Sequence, residues 1–347
     1  MRREIAEQPR AVAATLEAGL PLRQSLRHSA LDRRHVLLVA RGSSDNAAIY
    51  ARYLLEVHSR RQTSLAAPSI ATAYGTALDL SDTLVVSVSQ SGATEEIVHT
   101  QEWARRCGAA TVAVTNDPDS DLAGRADHAI VTMAGTERAV PATKTYTTQL
   151  AALAVLATAL APDLHALDQE LGMVPAQIQR LVDRTDVGPV SIALGEAAEV
   201  LVTGRGLVYG TALELALKME ETCLRPVRGL SYADLRHGPM AVVDDQSVVV
   251  LVAAATGPMS STVTALSADL AGRGATTIVL GGDAVLRATT LLVLPGPDLS
   301  ELLAPLGLVV PGQLVVEALA RRLGLDPDAP RGLSKVTQTD PRAGTLS

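Results

Sequence analysis

The 347-residue chain is about twice the length of an ordinary domain, so two domains are the starting expectation. Hydrophobic residues make up 47% and charged residues 19%, which excludes global disorder; 30 basic against 37 acidic residues leave a net charge of −7, which excludes charge-driven wrapping of nucleic acid or anionic lipid. Aromatics at 2%, with no Phe, leave the cores to Leu, Val, Ala and Ile and exclude a base-stacking platform.

Residues 1–30 read as a leading helix and connector, with Ile5, Val12 and Leu16 at helical spacing among Glu4, Glu7 and Arg10. No apolar signal core follows Arg2 and Arg3. The longest smooth apolar stretch, Leu150 to Ala161, is about half of a membrane span of roughly 20 residues. Cys107 and Cys223 are too few for a disulfide framework, and a reducing cytoplasm suits both.

Strand-like runs then alternate with helical stretches. The clearest are His35–Ala40, Thr83–Val88, Ala110–Thr115, Ala129–Thr132, Val200–Thr203, Ser247–Val252, Thr276–Leu280 and Thr290–Leu294. They are short, branched and apolar on both faces, as buried parallel strands are. The expected fold class is α/β, with two doubly wound, flavodoxin-like parallel-sheet lobes.

An internal repeat supports two lobes. Arg41-Gly42 recurs as Arg205-Gly206, 164 positions later, and the same offset carries Ala48 onto Ala212, Glu56 onto Glu220, Val85 onto Val249 and Val88 onto Val252. The expected division is a helix and connector over 1–30, a first lobe over 31–165, a linker helix over 166–189, a second lobe over 190–325 and a tail over 326–347. The copies differ after one strand: Ser89-Gln90-Ser91-Gly92-Ala93-Thr94 in the first faces Ala253-Ala254-Ala255-Thr256-Gly257 in the second. A ligand held at that loop would belong to the first lobe alone.

The first of these loops follows a strand and opens a helix near Glu95, so backbone N–H groups and the positive end of the helix dipole converge on one spot. One hydroxyl suffices to cap a helix, whereas three on one turn favour an anion. No Walker lysine follows, which disfavours nucleotide hydrolysis. A second strand-end loop, Arg41-Gly42-Ser43-Ser44-Asp45-Asn46, has the same character, and parallel sheets gather ligands where two such loops meet.

Among titratable groups, Glu214, Lys218 and Glu221 share one helix face. On spacing alone an exposed salt-bridge ladder is the commoner outcome. His237 stands before a Gly-Pro turn, where a side chain can be held beside a cleft. The stretch Pro330-Arg331-Gly332-Leu333-Ser334-Lys335-Val336-Thr337 reads as an extended tail with one lysine.

Together these motifs resemble the tandem sugar isomerase (SIS) domain family, specifically the isomerase half of glucosamine-6-phosphate synthase and the stand-alone glucosamine-6-phosphate deaminases. The likeness runs from Glu4-Ile5-Ala6-Glu7-Gln8-Pro9 through the Ser89 loop, Gly135-Thr136-Glu137, Ala142 to Leu150, the Glu214 helix and His237-Gly238-Pro239 to Lys335. The resemblance implies that Ser44, Ser89, Gln90, Ser91 and Thr94 hold a sugar phosphate. It implies supporting roles for Gly42, Ser43, Val140, Ala142, Glu214 and Lys218. Glu221 would move a proton between carbons 1 and 2. His237 would assist ring opening from a neighbouring subunit, and Lys335 would form an imine with the open-chain sugar. These residue types suit that chemistry: a buried carboxylate for the proton, an imidazole for the hemiacetal, a desolvated lysine for the carbonyl.

The chain departs from the synthase pattern in three places. Arg41-Gly42-Ser43-Ser44 resembles the deaminase branch, Ala142 stands where the synthase has a serine, and Val227 to Tyr232 replaces an acidic, alanine-rich stretch. No N-terminal cysteine is present to release ammonia from glutamine. The expected activity is therefore isomerising deamination of an amino sugar phosphate, glucosamine 6-phosphate plus water giving fructose 6-phosphate plus ammonia. An isomerase or deglycase acting on a related sugar–amine phosphate is the alternative within the class, and a non-catalytic sugar-phosphate sensor the alternative outside it. No metal, no organic cofactor, no nucleic acid and no membrane is implied; a homodimer is.

Overall fold

The computed structural model describes residues 1–335 together with 338 and 339; Val336 and Thr337 of the predicted tail, and residues 340–347, lie outside the described residues. Helices α1 (Arg2–Gly19) and α2 (Arg23–Ser29) open the chain. The first lobe follows as β1 (His35–Val39), α3 (Ser43–Val57), β2 (Gln62–Leu65), β3 (Thr83–Val88), α4 (Glu95–Arg106), β4 (Ala110–Thr115), α5 (Asp121–Gly124), β5 (His128–Val131) and α6 (Lys144–Leu160). Helices α7 (Asp168–Arg184) and α8 (Gly188–Glu196) lead across. The second lobe is β6 (Glu199–Gly204), α9 (Tyr209–Cys223), β7 (Val227–Ser231), α10 (Tyr232–Arg236), β8 (Ser247–Ala253), α11 (Ser260–Ala271), β9 (Thr276–Gly281), α12 (Ala284–Ala288), β10 (Leu292–Leu294) and α13 (Ala304–Arg322).

Each lobe carries a five-stranded, all-parallel sheet. The first runs β2-β1-β3-β4-β5 and the second, read from the same edge, β7-β6-β8-β9-β10. This is one topology twice, the flavodoxin-like order, and it gives the sequence repeat a structural meaning. Register agrees: Val39 pairs with Ser87 and, 164 positions on, Thr203 pairs with Leu251.

The predicted strands are all present with ends moved by a residue or two. The largest change is at the last, which starts at Leu292 because the Thr290 hydroxyl bonds back to the Leu286 carbonyl and closes the preceding helical turn. Two strands escaped the sequence reading, β2 and β7. They are the same outer edge of the two sheets, and an edge strand half open to solvent lacks the continuous apolar run of a buried one.

Packing joins the lobes. Every residue of α6 is buried, and its core extends through Leu171, Val174, Ile178 and Leu181 of α7 to Leu306, Val310 and Leu314 of α13. The segment expected as a linker helix is thus built into a shared core. Helix α13 is long and apolar enough to cross a membrane by length and composition, and 89% of that stretch is buried inside the fold. Helices α3 and α9, equivalent in the repeat, cross in close contact. Gly210 permits it, since a Cβ there would run into the backbone carbonyl of Asn46. That crossing carries the charged face of α9 into the first lobe.

Candidate active site

At the carboxyl ends of β1 and β3 lies a cavity of about 500 Å³. Strand order reverses between these two strands, the position where open α/β sheets bind ligands. The Arg41–Ser44 and Ser89–Thr94 loops line it, together with Val140, Ala142, Thr145 and Gln149, and with Lys218, Glu221 and Lys335. Every residue that the sequence reading assigned to the phosphate, together with Gly42, Ser43, Val140 and Ala142, lines this one space.

The Ser89 loop is shaped for close approach. Gly92 adopts φ +60°, and a Cβ there would fall inside the Ser120 hydroxyl, so only glycine fits. Thr94 occupies the N-cap of α4 without a side-chain cap bond, which leaves its hydroxyl to the cavity. The Ser91 hydroxyl accepts from the Ala93 N–H at 3.2 Å, tightening the turn. In the second loop, Ser44 is buried and accepts from Gln149 Nε2 at 3.0 Å. Arg41 also reaches the cavity, but its guanidinium is clasped by Glu96 through two bonds of 2.9 Å. The donors facing the space from these loops are therefore mainly uncharged.

The α9 face is no exposed ladder. Glu214 is fully buried, Lys218 is 2% exposed, and only Glu221 reaches out, with a quarter of its side chain accessible. Lys218 pairs with Glu221 on the cavity side and stands 3.7 Å from Glu214 Oε1 behind it. Asn46 of α3 donates to Glu214 Oε2 at 2.9 Å, a bond between lobes. Burial pushes the Glu214 carboxyl up to about 7 against the opposing charge of Lys218 and the Asn46 bond. Two attractive carboxylates hold Lys218 above its ordinary range even though burial works the other way.

Lys335 comes to the site from the tail. Its ammonium donates to Glu137 Oε2 and to the Ala139 carbonyl, both at 2.7 Å. Glu137 is buried, and burial pushes its carboxyl up. The charge and hydrogen bond of Lys335, with bonds from Thr145 and Thr143, outweigh that and hold it below the ordinary carboxylate range. Sequence reasoning gave Glu137 no role. It sits 198 positions from its partner, and only the Gly-Thr-Glu motif marked it.

Two predicted groups do not line this cavity, Glu214, buried behind Lys218, and His237. His237 is exposed just after α10 and does not line the cavity of its own chain. The second lobe's counterpart notch, walled by Arg205, Val208, Ala253 and Glu301, measures only about 10 Å³. Among the described residues no three His, Cys, Asp or Glu side chains gather as metal ligands would.

The chain is 32% identical over 96% of its length to glutamine–fructose-6-phosphate aminotransferase [isomerizing] of Thermococcus kodakarensis, covering 57% of that protein. The chain thus spans a little over half the length of the curated relatives it matches. Among solved structures it superposes on the C-terminal domain of glucosamine-fructose-6-phosphate aminotransferase from Francisella tularensis with TM-score 0.85 and 27% identity, covering 94% of this chain and 97% of that one. Glucosamine-6-phosphate deaminase from Thermotoga maritima shares the fold, with TM-score 0.76 at 23% identity over 97% of this chain and 98% of that one. The SIS domain model matches residues 31–159 and 193–285, most of both sheets, and the chain belongs to the SIS domain family.

Proposed function

We propose that this chain is an enzyme of amino sugar metabolism that isomerises and deaminates an amino sugar phosphate, converting glucosamine 6-phosphate and water to fructose 6-phosphate and ammonia. One observation carries the reading: a single cavity is lined both by a loop of hydroxyls and by Glu221, Lys218 and Lys335. The similarity to sugar-phosphate aminotransferases supports the substrate class.

Ser44, Ser89, Gln90, Ser91 and Thr94 grip the phosphate and fix the sugar's length across the cavity. His237 of a second copy opens the ring; its exposure on this chain, away from its own cavity, fits service in a neighbour's site within a homodimer. Glu221 takes the proton from carbon 2 and returns it to carbon 1, while a second proton passes from the amine to the carbonyl oxygen, leaving a ketose imine. Lys218, in contact with Glu221, steadies its carboxylate before the first transfer and after the second. Water adds to the imine carbon and ammonia leaves. By a second route Lys335 passes its proton to the adjacent Glu137 and adds to the same carbon, ammonia leaves as the lysine imine forms, and water then releases the ketose and the free lysine. In this reading residues 31–165 supply the grip, and residues 190–325 with the tail supply the proton chemistry.

The test is ammonia release across a panel of amino sugar phosphates, run with the unaltered chain and with Glu221→Gln. The variant is expected to lose turnover by at least about 10³-fold while hexose 6-phosphate binding stays within a few-fold. Strong residual turnover removes Glu221 from the mechanism. Tight binding with no ammonia from any substrate makes the chain a sensor.

A further inference from the structure

Arg41 follows β1 and lines the active-site cavity with Ser44, Ser89 and Thr94, yet its charge is held by another side chain. The guanidinium meets Glu96 of α4 fork to fork, Nε on Oε2 and Nη2 on Oε1, and Nη1 donates to the Ala40 carbonyl at 3.2 Å. The pair is not sealed in: 43% of the Arg41 side chain is exposed, so the guanidinium has room to turn. Glu96 has other means of staying ionised. It lies in the first turn of α4, where the helix dipole favours a negative charge, and the Thr339 hydroxyl donates to its Oε2 at 2.8 Å. Glu96 can therefore give up Arg41 and keep stabilising partners.

The second lobe supplies the comparison. Arg205 is the counterpart of Arg41, 164 positions on, but Ala253-Ala254-Ala255 stands there for the hydroxyl loop, and α11 has no acidic residue in its first turn. The Arg205 guanidinium lies instead over the Tyr232 ring, 5.2 Å from its centre. The carboxylate clasp thus accompanies the lobe whose strand-end loop carries the hydroxyls. A phosphate dianion presents the same paired oxygens to a guanidinium as a carboxylate does, with up to twice the charge.

We propose that Arg41 is a conditional ligand of the substrate phosphate: Glu96 holds the guanidinium before substrate enters, and the phosphate dianion takes it from the carboxylate. The inference rests on reading this cavity as a sugar-phosphate site and is independent of the deamination step. The clasp selects by charge. A monoanion that displaced Glu96 would exchange one single charge for another, whereas a dianion gains by the exchange, and a neutral sugar meets only uncharged donors at these loops.

The test is a double-mutant cycle read by calorimetry with glucitol 6-phosphate, which has no carbonyl to turn over, and with free glucitol as control. Arg41→Gln should weaken the phosphorylated ligand by at least about tenfold, and Arg41→Lys, which keeps the charge without the fork, by less. Glu96→Gln should tighten it by about fivefold, because Arg41 is then free. The double variant should match Arg41→Gln within about twofold, and no variant should change binding of free glucitol. Equal tightening by Glu96→Gln with and without Arg41 would reveal plain charge repulsion and overturn the exchange. Weaker binding in Glu96→Gln would make Glu96 a support of Arg41 and overturn it too. In a crystal of the complex the guanidinium should sit on phosphate oxygens with Glu96 left to Thr339; an intact clasp beside bound phosphate refutes the proposal. Binding indifferent to every substitution overturns this inference alone, whereas an unaltered chain that binds no phosphorylated sugar brings down the sugar-phosphate reading as well.

Discussion

Replacing Glu137 by Gln tests how the tail lysine is held. The Glu137 carboxylate accepts from Lys335 Nζ at 2.7 Å, from the Thr145 hydroxyl at 2.6 Å, and from the Thr143 N–H and hydroxyl at 2.9 and 3.1 Å. A glutamine keeps the Thr143 bonds through its amide oxygen but turns an N–H₂ toward an ammonium. A hydrogen bond to a charged group is worth about 1.5–3 kcal/mol, and breaking a fully buried pair costs about 3–5 kcal/mol. Lys335 is 27% exposed and can swing to water, which places the loss at the low end, about 3 kcal/mol. If Lys335 acts from this position, kcat/KM for ammonia release should fall on the order of 10²-fold. The melting temperature at pH 7 should fall by about 5 °C. The pH dependence fixes the cause. Glu137 is held below its ordinary value of 4.5, so its contribution is complete above that pH and is lost as pH falls through the folded-state value. The gap in melting temperature between the two proteins should therefore stay level from pH 7 to about 5 and close below 4.5. A gap absent at pH 7, a gap that persists in acid, or a kcat/KM within twofold would each refute this account.

Two further outcomes concern the phosphate end. Ser91→Ala with Thr94→Ala should weaken phosphorylated ligands by at least about tenfold and leave free sugars nearly unaffected, read by calorimetry; equal weakening of both would reject the loop as the anion site. Gly92→Ala forces a Cβ onto the Ser120 hydroxyl at φ +60° and should cost about 2–4 kcal/mol in urea unfolding, with loss of hexose 6-phosphate binding. A fully stable Gly92→Ala protein that still binds would show that the turn has other conformations open to it.

What the sequence disclosed, and what it withheld, follows from the range of the forces involved. Strands β3, β4 and β8 are buried on both faces, so their composition alone announces them. The Ser89 loop was legible because its parts are local: the hydroxyls, the glycine and the helix start lie within six residues. The pairing of Lys335 with Glu137 and the Asn46–Glu214 bond were not, since each joins segments at least 168 positions apart and only the fold brings them together. The α9 face shows the same limit. Spacing placed Glu214, Lys218 and Glu221 side by side, but whether that face meets water or protein depends on Gly210 letting α9 press against α3. That contact turns a ladder of surface type into a buried acid–base set.

Among the described residues the repeat also bears on why the large strand-end cavity belongs to the first lobe alone. The first lobe's strand-end cavity is completed by α9, the second lobe's equivalent of α3. The α9 positions Glu214, Lys218 and Glu221 correspond, 164 residues earlier, to Tyr50, Leu54 and Val57 on α3. Tyr50 is fully buried, and its hydroxyl donates to the Leu302 carbonyl at 2.8 Å, so a ring stands where the first lobe has a carboxylate. On the same offset Ser44 becomes Val208, Ser89 becomes Ala253, and Glu137 becomes Glu301. Glu301 keeps the carboxylate without the lysine. Burial alone raises its carboxyl, whereas Lys335 overcomes burial and pulls Glu137 down. The second notch thus lacks the Ser44 and Ser89 hydroxyls, the acid–base helix face and the tail lysine together, and its volume is about that of one water. Coordinated loss of that kind is what a division of labour between duplicated lobes requires: the second lobe can surrender its own cavity because its helix has become half of the first lobe's.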